Sequence, residues 1–238
     1  MWLWWLSGGI GTAALLYWQI ILAEGAYLGP WAVRLVYGLG ARHYDAVHAP
    51  GQAAADTILG AHIKTALAYQ TQPQVLDVAT GTGRIPRLLR QTHPAALIAA
   101  LDLTPAMIVV ARQQWATQEN EALMAGAEYA RSPLWQIGEA GHLPWATASF
   151  DLVTCLEALE YFPRPRQALA ELARVTRPGG RLLLSKVPDR WARLLPGRAF
   201  DRRTCAHTLE TCGWTGLRFW PWQPGHYELV TATRGMRA

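Results

Sequence analysis

The run Val75-Leu-Asp77-Val-Ala79-Thr80-Gly81-Thr-Gly83 joins an apolar stretch, a carboxylate and two closely spaced glycines. Glycine lets the backbone turn sharply and bring its amides close to a ligand, and a helix starting behind it leaves its first N–H groups free. Such a turn binds a polar small molecule against main chain; it does not itself break bonds. A second carboxylate, Asp102, closes another apolar run 25 residues after Asp77. That spacing suits a side chain that holds ribose hydroxyls. A dinucleotide-binding turn carries a third glycine three residues after the second, where this chain has Pro86. The turn therefore argues against a nicotinamide-dependent dehydrogenase.

Further blocks follow in order. They are Ala100-Leu-Asp102-Leu103-Thr-Pro-Ala-Met107, then Gly138-Glu139-Ala140-Gly-His-Leu-Pro144 with Ser149-Phe-Asp-Leu-Val153, and Arg177-Pro-Gly-Gly-Arg-Leu182. With these blocks the chain resembles the class I S-adenosylmethionine-dependent methyltransferase superfamily, and within it the ubiquinone/menaquinone-biosynthesis and type 11 group. The resemblance runs from about Tyr44 to the C-terminus. It implies a Rossmann-like, mostly parallel seven-stranded sheet with helices on both faces, and S-adenosyl-L-methionine as cofactor. By the same resemblance Asp77, Gly81 and Gly83, with Ala79 and Thr80 between them, would take the methionine part of the cofactor. Asp102 would hold the ribose, Leu103 and Met107 would lie beside the adenine, and Glu139 and Ala140 would meet its edge. Position 139 is usually Asp in the family. Glu157 would face the methyl-donor end, and Tyr161 stands where the family often has His. His43-Tyr44-Asp45 is similar to a Tyr-Asp pair that closes over the cofactor, although Tyr44 also reads as an interface aromatic. Methyl transfer from a sulfonium is a displacement governed by positioning, so no catalytic base is assigned. His142, His207 and His226 read as surface or packed residues.

These blocks need elements to hold them, and the pattern supplies alternating strands and helices. Strands are expected at 74–79, 96–101, 134–138, 150–156, 181–187, 215–220 and 227–233. Helices are expected at 57–69, 84–91, 104–118, 165–176 and 202–212, with Thr104 as an N-cap before Pro105. Strands separated by helices make a parallel sheet covered on both faces, and the closing strand pair adds one antiparallel strand.

Met1 to Ala23 contains no charged side chain, and Trp2, Trp4 and Trp5 stand near one end with Trp18 and Trp31 towards the other. A helix of about 20 apolar residues crosses a ~30 Å hydrocarbon core, and indoles favour its interfaces. Residues 1–23 are therefore expected to be a transmembrane anchor, uncleaved because no basic region precedes the apolar run. Arg34 and Arg42 follow it, which places the N-terminus outside and the catalytic domain in the cytoplasm. Ser7, Gly8, Gly11 and Thr12 form small-xxx-small pairs that suit a partner transmembrane helix. Residues 24–56 read as an interfacial helix, Trp31–Leu39, and a linker hinged near Gly38–Gly40. Residues 57–238 form the methyltransferase domain.

Composition narrows the remaining choices. Charged residues make up only 16% of the chain, and the net charge of +5 is spread without a dense basic run, so nucleic acid is not expected as a partner. Cys155, Cys205 and Cys212 form no CxxC pair or metal-ligand pattern, which fits a reducing compartment and no metal. The stretch 188–202 is too short for a large substrate cap. The leading expectation is methylation of a lipophilic small molecule, such as a quinone precursor, that arrives from the bilayer. Phospholipid or pigment methylation, and an accessory structural subunit that keeps a methyltransferase fold, stand as alternatives.

Overall fold

The computed structural model describes residues 17–19, 23–126 and 131–236. Most of the expected transmembrane segment, including Ser7, Gly8, Gly11 and Thr12, lies outside the described residues. Among the described residues no helix is long and apolar enough to cross a membrane.

Seven strands form one sheet: β1 Gln74–Val78, β2 Leu97–Asp102, β3 Leu134–Ile137, β4 Phe150–Cys155, β5 Thr176–Lys186, β6 Trp214–Gln223 and β7 Tyr227–Arg234. Their order is β3-β2-β1-β4-β5-β7-β6, parallel except for β7, which runs antiparallel to both β5 and β6. The helices are α1 Pro30–Gly40, α2 Tyr44–His48, α3 Gln52–Ala66, α4 Arg84–Thr92, α5 Pro105–Met124, α6 Pro165–Val175, the single turn α7 Asp189–Ala192, and α8 Arg202–Thr211. The Rossmann-like α/β architecture expected from the pattern is thus present.

Alternation along the strands feeds two cores. Leu76, Val78, Val153, Cys155, Leu182, Leu184 and Val230 point to one face, where Leu169 and Leu172 of α6 and Cys205 and Leu209 of α8 cover them. Val75, Ile98, Leu152, Leu183 and Leu229 point to the other, against Leu59 and Ile63 of α3 and Ile85 and Leu89 of α4. Strands buried on both sides must be apolar almost throughout, which is why these runs read so clearly.

Four expectations are corrected. Helix α3 starts at Gln52, because Gly51 takes a left-handed conformation that opens it there. Helix α1 runs through Gly38 and ends at Gly40, so the glycines are part of a helix and the direction change falls at residues 41–43. Thr104 occupies the N-cap of α5, but its side chain caps nothing; its backbone N–H instead donates to Asp102 Oδ1 at 2.8 Å. Pro178-Gly-Gly180 lies inside β5, which begins at Thr176, and the extra residues are absorbed where the β4–β5 register shifts between Phe150 and Leu152. One cap went unread: Asp201 accepts from Thr204 N at 2.7 Å and starts α8.

Gly83 sets the distance between α4, α5 and the sheet. Its φ is +82°, and a Cβ there would sit 3.1 Å from both Ala111 Cβ and Trp135 Cη2. Gly83→Ala should therefore destabilise the fold by about 1–3 kcal/mol, combining left-handed strain with overpacking. Urea unfolding followed by circular dichroism checks this; an unchanged midpoint would show that the neighbours yield freely.

Candidate functional site

The C-terminal ends of β1, β2 and β4 open into a cavity of about 340 Å³, within the ~300–1,000 Å³ range of small-molecule pockets. In open α/β sheets this end is where ligands bind. Its wall includes Ala79 and Gly81 from the turn after β1, Asp102 and Leu103 after β2, and Met107 at the start of α5. Glu139 and Ala140 follow β3, Glu157 follows β4, and Tyr44 comes from α2. Nine of the twelve residues marked in the sequence thus meet at one cavity.

The other three stand behind its wall. Asp77 is 2% exposed, and its Oδ1 accepts from Thr154 Oγ1 at 2.6 Å while Oδ2 has no partner. Thr80 is buried in the turn with its hydroxyl unpartnered, and Gly83 packs against α5 and Trp135. Gly81 differs from Gly83: it has φ +53°, and a Cβ built on it would meet nothing within 4 Å. Gly81 therefore leaves open space at the cavity, with its N–H held by Asp102, whereas Gly83 allows close packing.

The backbone around the cavity is held in uncommon conformations. Ala79 and Glu157, the residues that leave β1 and β4, have φ of +58° and +55°. Such non-glycine geometry costs of order 1–3 kcal/mol each and persists only where the surroundings impose it. At Glu157 the constraint is visible. Its N–H donates to Ser185 Oγ at 2.5 Å, and its Oε1 accepts from Arg84 at 2.8 Å and Gln223 Nε2 at 2.6 Å. Arg84 also pairs with Asp56 at 2.7 Å and lies over the Trp222 ring. Asp102 is fixed as firmly, its two oxygens taking the N–H groups of Gly81 and Thr104 at 2.8 Å. Burial raises its carboxyl above the usual range, partly offset by those two hydrogen bonds.

A roof from the N-terminal side closes the cavity. Pro30, Val33 and Tyr37 of α1 line it from above, while Trp31, Leu35 and Leu39 on the outer face are 63%, 54% and 78% exposed. The segment expected to lie flat at an interface therefore has two apolar faces, one of which covers the cavity. Arg34 Nε donates to Leu103 O at 3.1 Å, and Tyr37 donates to Glu24 Oε2 at 2.6 Å. Trp18 Nε1 and the Tyr27 hydroxyl reach the carbonyls of Leu194 and Pro196 at 3.0 and 2.9 Å. Below the roof, Asp45 accepts from Thr82 Oγ1 at 2.5 Å and pairs with Arg87, so the Tyr44-Asp45 pair is tied to the glycine turn itself.

Arg84, Glu24 and Tyr37 also belong to the site, although no motif marks them. Arg84 was legible only as the start of a helix, since its partners lie far along the chain. Tyr37 alone carries a local signal: it stands one helical turn from Val33, on the face opposite Trp31, Leu35 and Leu39. Of the three histidines set aside, His142 lines the first cavity and contacts Gln167 Nε2 at 3.0 Å, His226 lies beside a second cavity, and His207 is exposed on α8.

The fold and this cavity are similar to those of methyltransferase domains. Residues 76–184 match the family model described as a methyltransferase domain. A demethylmenaquinone methyltransferase of Deinococcus radiodurans is 41% identical over 123 residues, covering 52% of this chain and 46% of that protein. A malonyl-[acyl-carrier protein] O-methyltransferase of Hahella chejuensis is 36% identical over 154 residues, covering 60% and 50%. The chain spans about half the length of the curated relatives it matches. Among solved structures, the [4+2]-cyclase SpnF shares the fold at 18% identity, with a TM-score of 0.66 over 87% of this chain and 96% of that one. A putative methyltransferase of Bacillus halodurans does so at 20% identity, with a TM-score of 0.58 over 74% and 98%.

Burial pushes the Asp77 carboxyl up to about 7 against the opposing pull of Thr154. A carboxyl raised in the folded state keeps its proton while the unfolded one loses it from about pH 4, so its stability contribution falls as pH rises towards 7. Asp77→Asn keeps the Thr154 contact and cannot ionise. The variant should gain stability relative to wild type between pH 4 and 7, by about 1.4 kcal/mol per pH unit at most. Parallel urea curves for the two proteins at pH 5 and pH 7.5 would contradict this.

Proposed function

We propose that this chain is an S-adenosylmethionine-dependent methyltransferase acting on a lipophilic small molecule such as a quinone precursor. The observation that carries this reading is the buried Asp102 carboxylate at the wall of the first cavity, where it accepts the Gly81 N–H and so ties the glycine turn to the second strand. The residues fit the cofactor. Asp102 has lone pairs left beyond its two backbone partners, which would take the ribose hydroxyls. Leu103, Met107 and Ala140 supply an apolar slot for the adenine, with Glu139 at its edge. Ala79, Gly81 and Glu157 face the methionine part. Asp77, Thr80 and Gly83 shape the turn from beneath. S-adenosylmethionine supplies a methyl group on a sulfonium. The chain contributes orientation and exclusion of water: Tyr44 and α1 close over the cavity, and the carboxylates of Asp102 and Glu157 favour a cation.

Names among the relatives, demethylmenaquinone methyltransferase and ubiquinone/menaquinone biosynthesis C-methyltransferase, support a lipophilic acceptor. So does the outer stripe of Trp31, Leu35 and Leu39, which suits contact with lipid beside the cavity roof. In this reading residues 1–23 anchor the chain with the N-terminus outside, residues 24–56 lie at the cytoplasmic interface, and residues 57–238 carry the catalytic domain. The small residues Ser7, Gly8, Gly11 and Thr12 would face a partner helix.

Asp102→Ala should weaken S-adenosylmethionine binding by about 1.5–3 kcal/mol, roughly 10- to 150-fold, through loss of charge-assisted hydrogen bonds. Calorimetry on the purified protein tests the cofactor, and incubation with lipid extract and radiolabelled donor identifies the acceptor. Unchanged affinity in the variant would remove Asp102 from the site.

Deletion of residues 1–16 should release the chain from membranes in a high-salt sedimentation assay. If the shortened protein still sediments fully, and Trp31→Ser with Leu35→Ser releases it, the exposed helix face is the main contact and the anchor proposal fails.

A further inference from the structure

Glu160 is a buried carboxyl that the cofactor reading does not use. It lies in the short turn Leu159–Tyr161 that follows β4 and is 3% exposed. Its neighbours Ala158 and Tyr161 line the first cavity, but Glu160 itself does not. A charge on it would stand directly behind the cavity wall.

Among the described residues no cation pairs with it. Tyr227 of β7 donates to its Oε1 at 2.5 Å, and the carboxyls of Glu24 and Glu157 and the Cys155 thiol lie around it. β5 and α6 also pack on this turn. Their ionisable side chains are engaged elsewhere: Lys186 with Asp189 and Glu228, Arg177 with Asp151, Arg181 with Thr233, Arg166 with Thr208, and Arg174 with Glu171. Burial therefore pushes the Glu160 carboxyl up to about 7, with the Tyr227 hydroxyl opposing.

A route for protons leads away from it. Beside the first cavity lies a second, of about 770 Å³, and Tyr161 lines both. The Tyr161 hydroxyl is hydrogen-bonded between those of Tyr227 and Tyr37, and Tyr37 donates to Glu24 Oε2 at 2.6 Å. A tyrosine hydroxyl both donates and accepts. Glu160, Tyr227, Tyr161, Tyr37 and Glu24 thus form one chain along which a proton can pass by successive hops. Glu24 lines the second cavity, which gives the chain an open end. Asp77, also raised to about 7, has no such route: its Oδ1 is bonded to Thr154 and its Oδ2 has no partner.

We infer that Glu160 exchanges a proton in step with the charge of the methyl donor, ionised beside the bound sulfonium and protonated once the donor is neutral. This rests on the first cavity holding S-adenosylmethionine. A cation in front of the wall favours the carboxylate form behind it. Glu160 takes a proton back when the sulfur–methyl bond breaks with its electron pair left on sulfur. That proton is the one the acceptor sheds as it bonds the methyl, handed on from Tyr161 through Tyr227. A cation and an anion become two neutral groups, and the net charge of the site stays the same.

S-adenosylmethionine and S-adenosylhomocysteine differ by the methyl group and its positive charge, so they form a matched pair. Calorimetric titration of the full chain in detergent, in buffers of different ionisation heat, counts the protons released by each. At pH 7 S-adenosylmethionine should release about half a proton per site more than S-adenosylhomocysteine, because a group titrating there is half protonated beforehand. At pH 9 the difference should vanish, since Glu160 is then ionised throughout. Glu160→Gln keeps an oxygen for the Tyr227 bond but cannot ionise, and should abolish the difference at pH 7. Tyr227→Phe removes a bond that favours the carboxylate, so the pH of greatest release should move upward; this arm decides where Glu160→Gln does not fold. Equal proton counts for the two ligands in the wild type would overturn the inference, as would a release maximum unmoved in Tyr227→Phe. So would a difference that survives Glu160→Gln. It would place the proton on Asp77 or on a histidine beside the ligand, His142 in the first cavity or His43, His48 and His226 in the second. Failure of both ligands to bind would instead overturn the reading of the first cavity, and this inference with it.

Discussion

The pairing of Arg84 with Glu157 is the contact on which the site depends. The guanidinium starts α4, directly behind the glycine turn, and the carboxylate leaves β4 in a left-handed conformation. Their side chains are only 17% and 14% exposed, so the pair is held in a medium where each charge needs the other. Asp56 joins from α3, Gln223 from β6 and Trp222 through its ring. One ion pair thus links the N-terminal helices, the sheet centre and the antiparallel strands at the far edge. Without it, only the hydrogen bonds to Ser185 and Gln223 would hold the strained backbone of Glu157.

Much of the architecture was legible because a sheet buried on both faces leaves little freedom in sequence. Val75–Val78, Leu97–Leu101 and Leu182–Leu184 must be apolar at nearly every position, and glycine or proline must punctuate them. Ends were harder to place. The start of α3 depends on Gly51, and the start of β5 on a bulge against β4, neither of which has a periodic signature. The site divided in the same way. Residues at the ends of strands, such as Gly81 and Asp102, are positioned by local rules and could be read directly. Arg84, Glu24 and Tyr37 take their meaning from partners 13 to 73 residues away, and a linear pattern does not carry that information.

Helix α1 shows how one short element can serve two surfaces. Its 11 residues turn Val33 and Tyr37 inward over the first cavity and leave Trp31, Leu35 and Leu39 outside. An ordinary amphipathic helix needs only one apolar stripe. Here the polar positions are few, Arg34 among them, and that side chain is turned to the carbonyl of Leu103. Sequence hydrophobicity alone therefore merged a cavity roof with an exposed face.

The ties of Trp18 to Leu194 and Tyr27 to Pro196 bear on the order in which the molecule assembles during synthesis. They join residues separated by 176 and 169 positions, and Trp222 reaches Ala55 across 167 more. A ribosome delivers the N-terminal end first, before the carbonyls of Leu194 and Pro196 or the indole of Trp222 exist. The roof segment leaves the exit tunnel long before its anchoring points, and its apolar faces must be sheltered elsewhere during that interval. Closing the ligand cavities is accordingly among the last events of folding, completed only when the final antiparallel strands have joined the sheet.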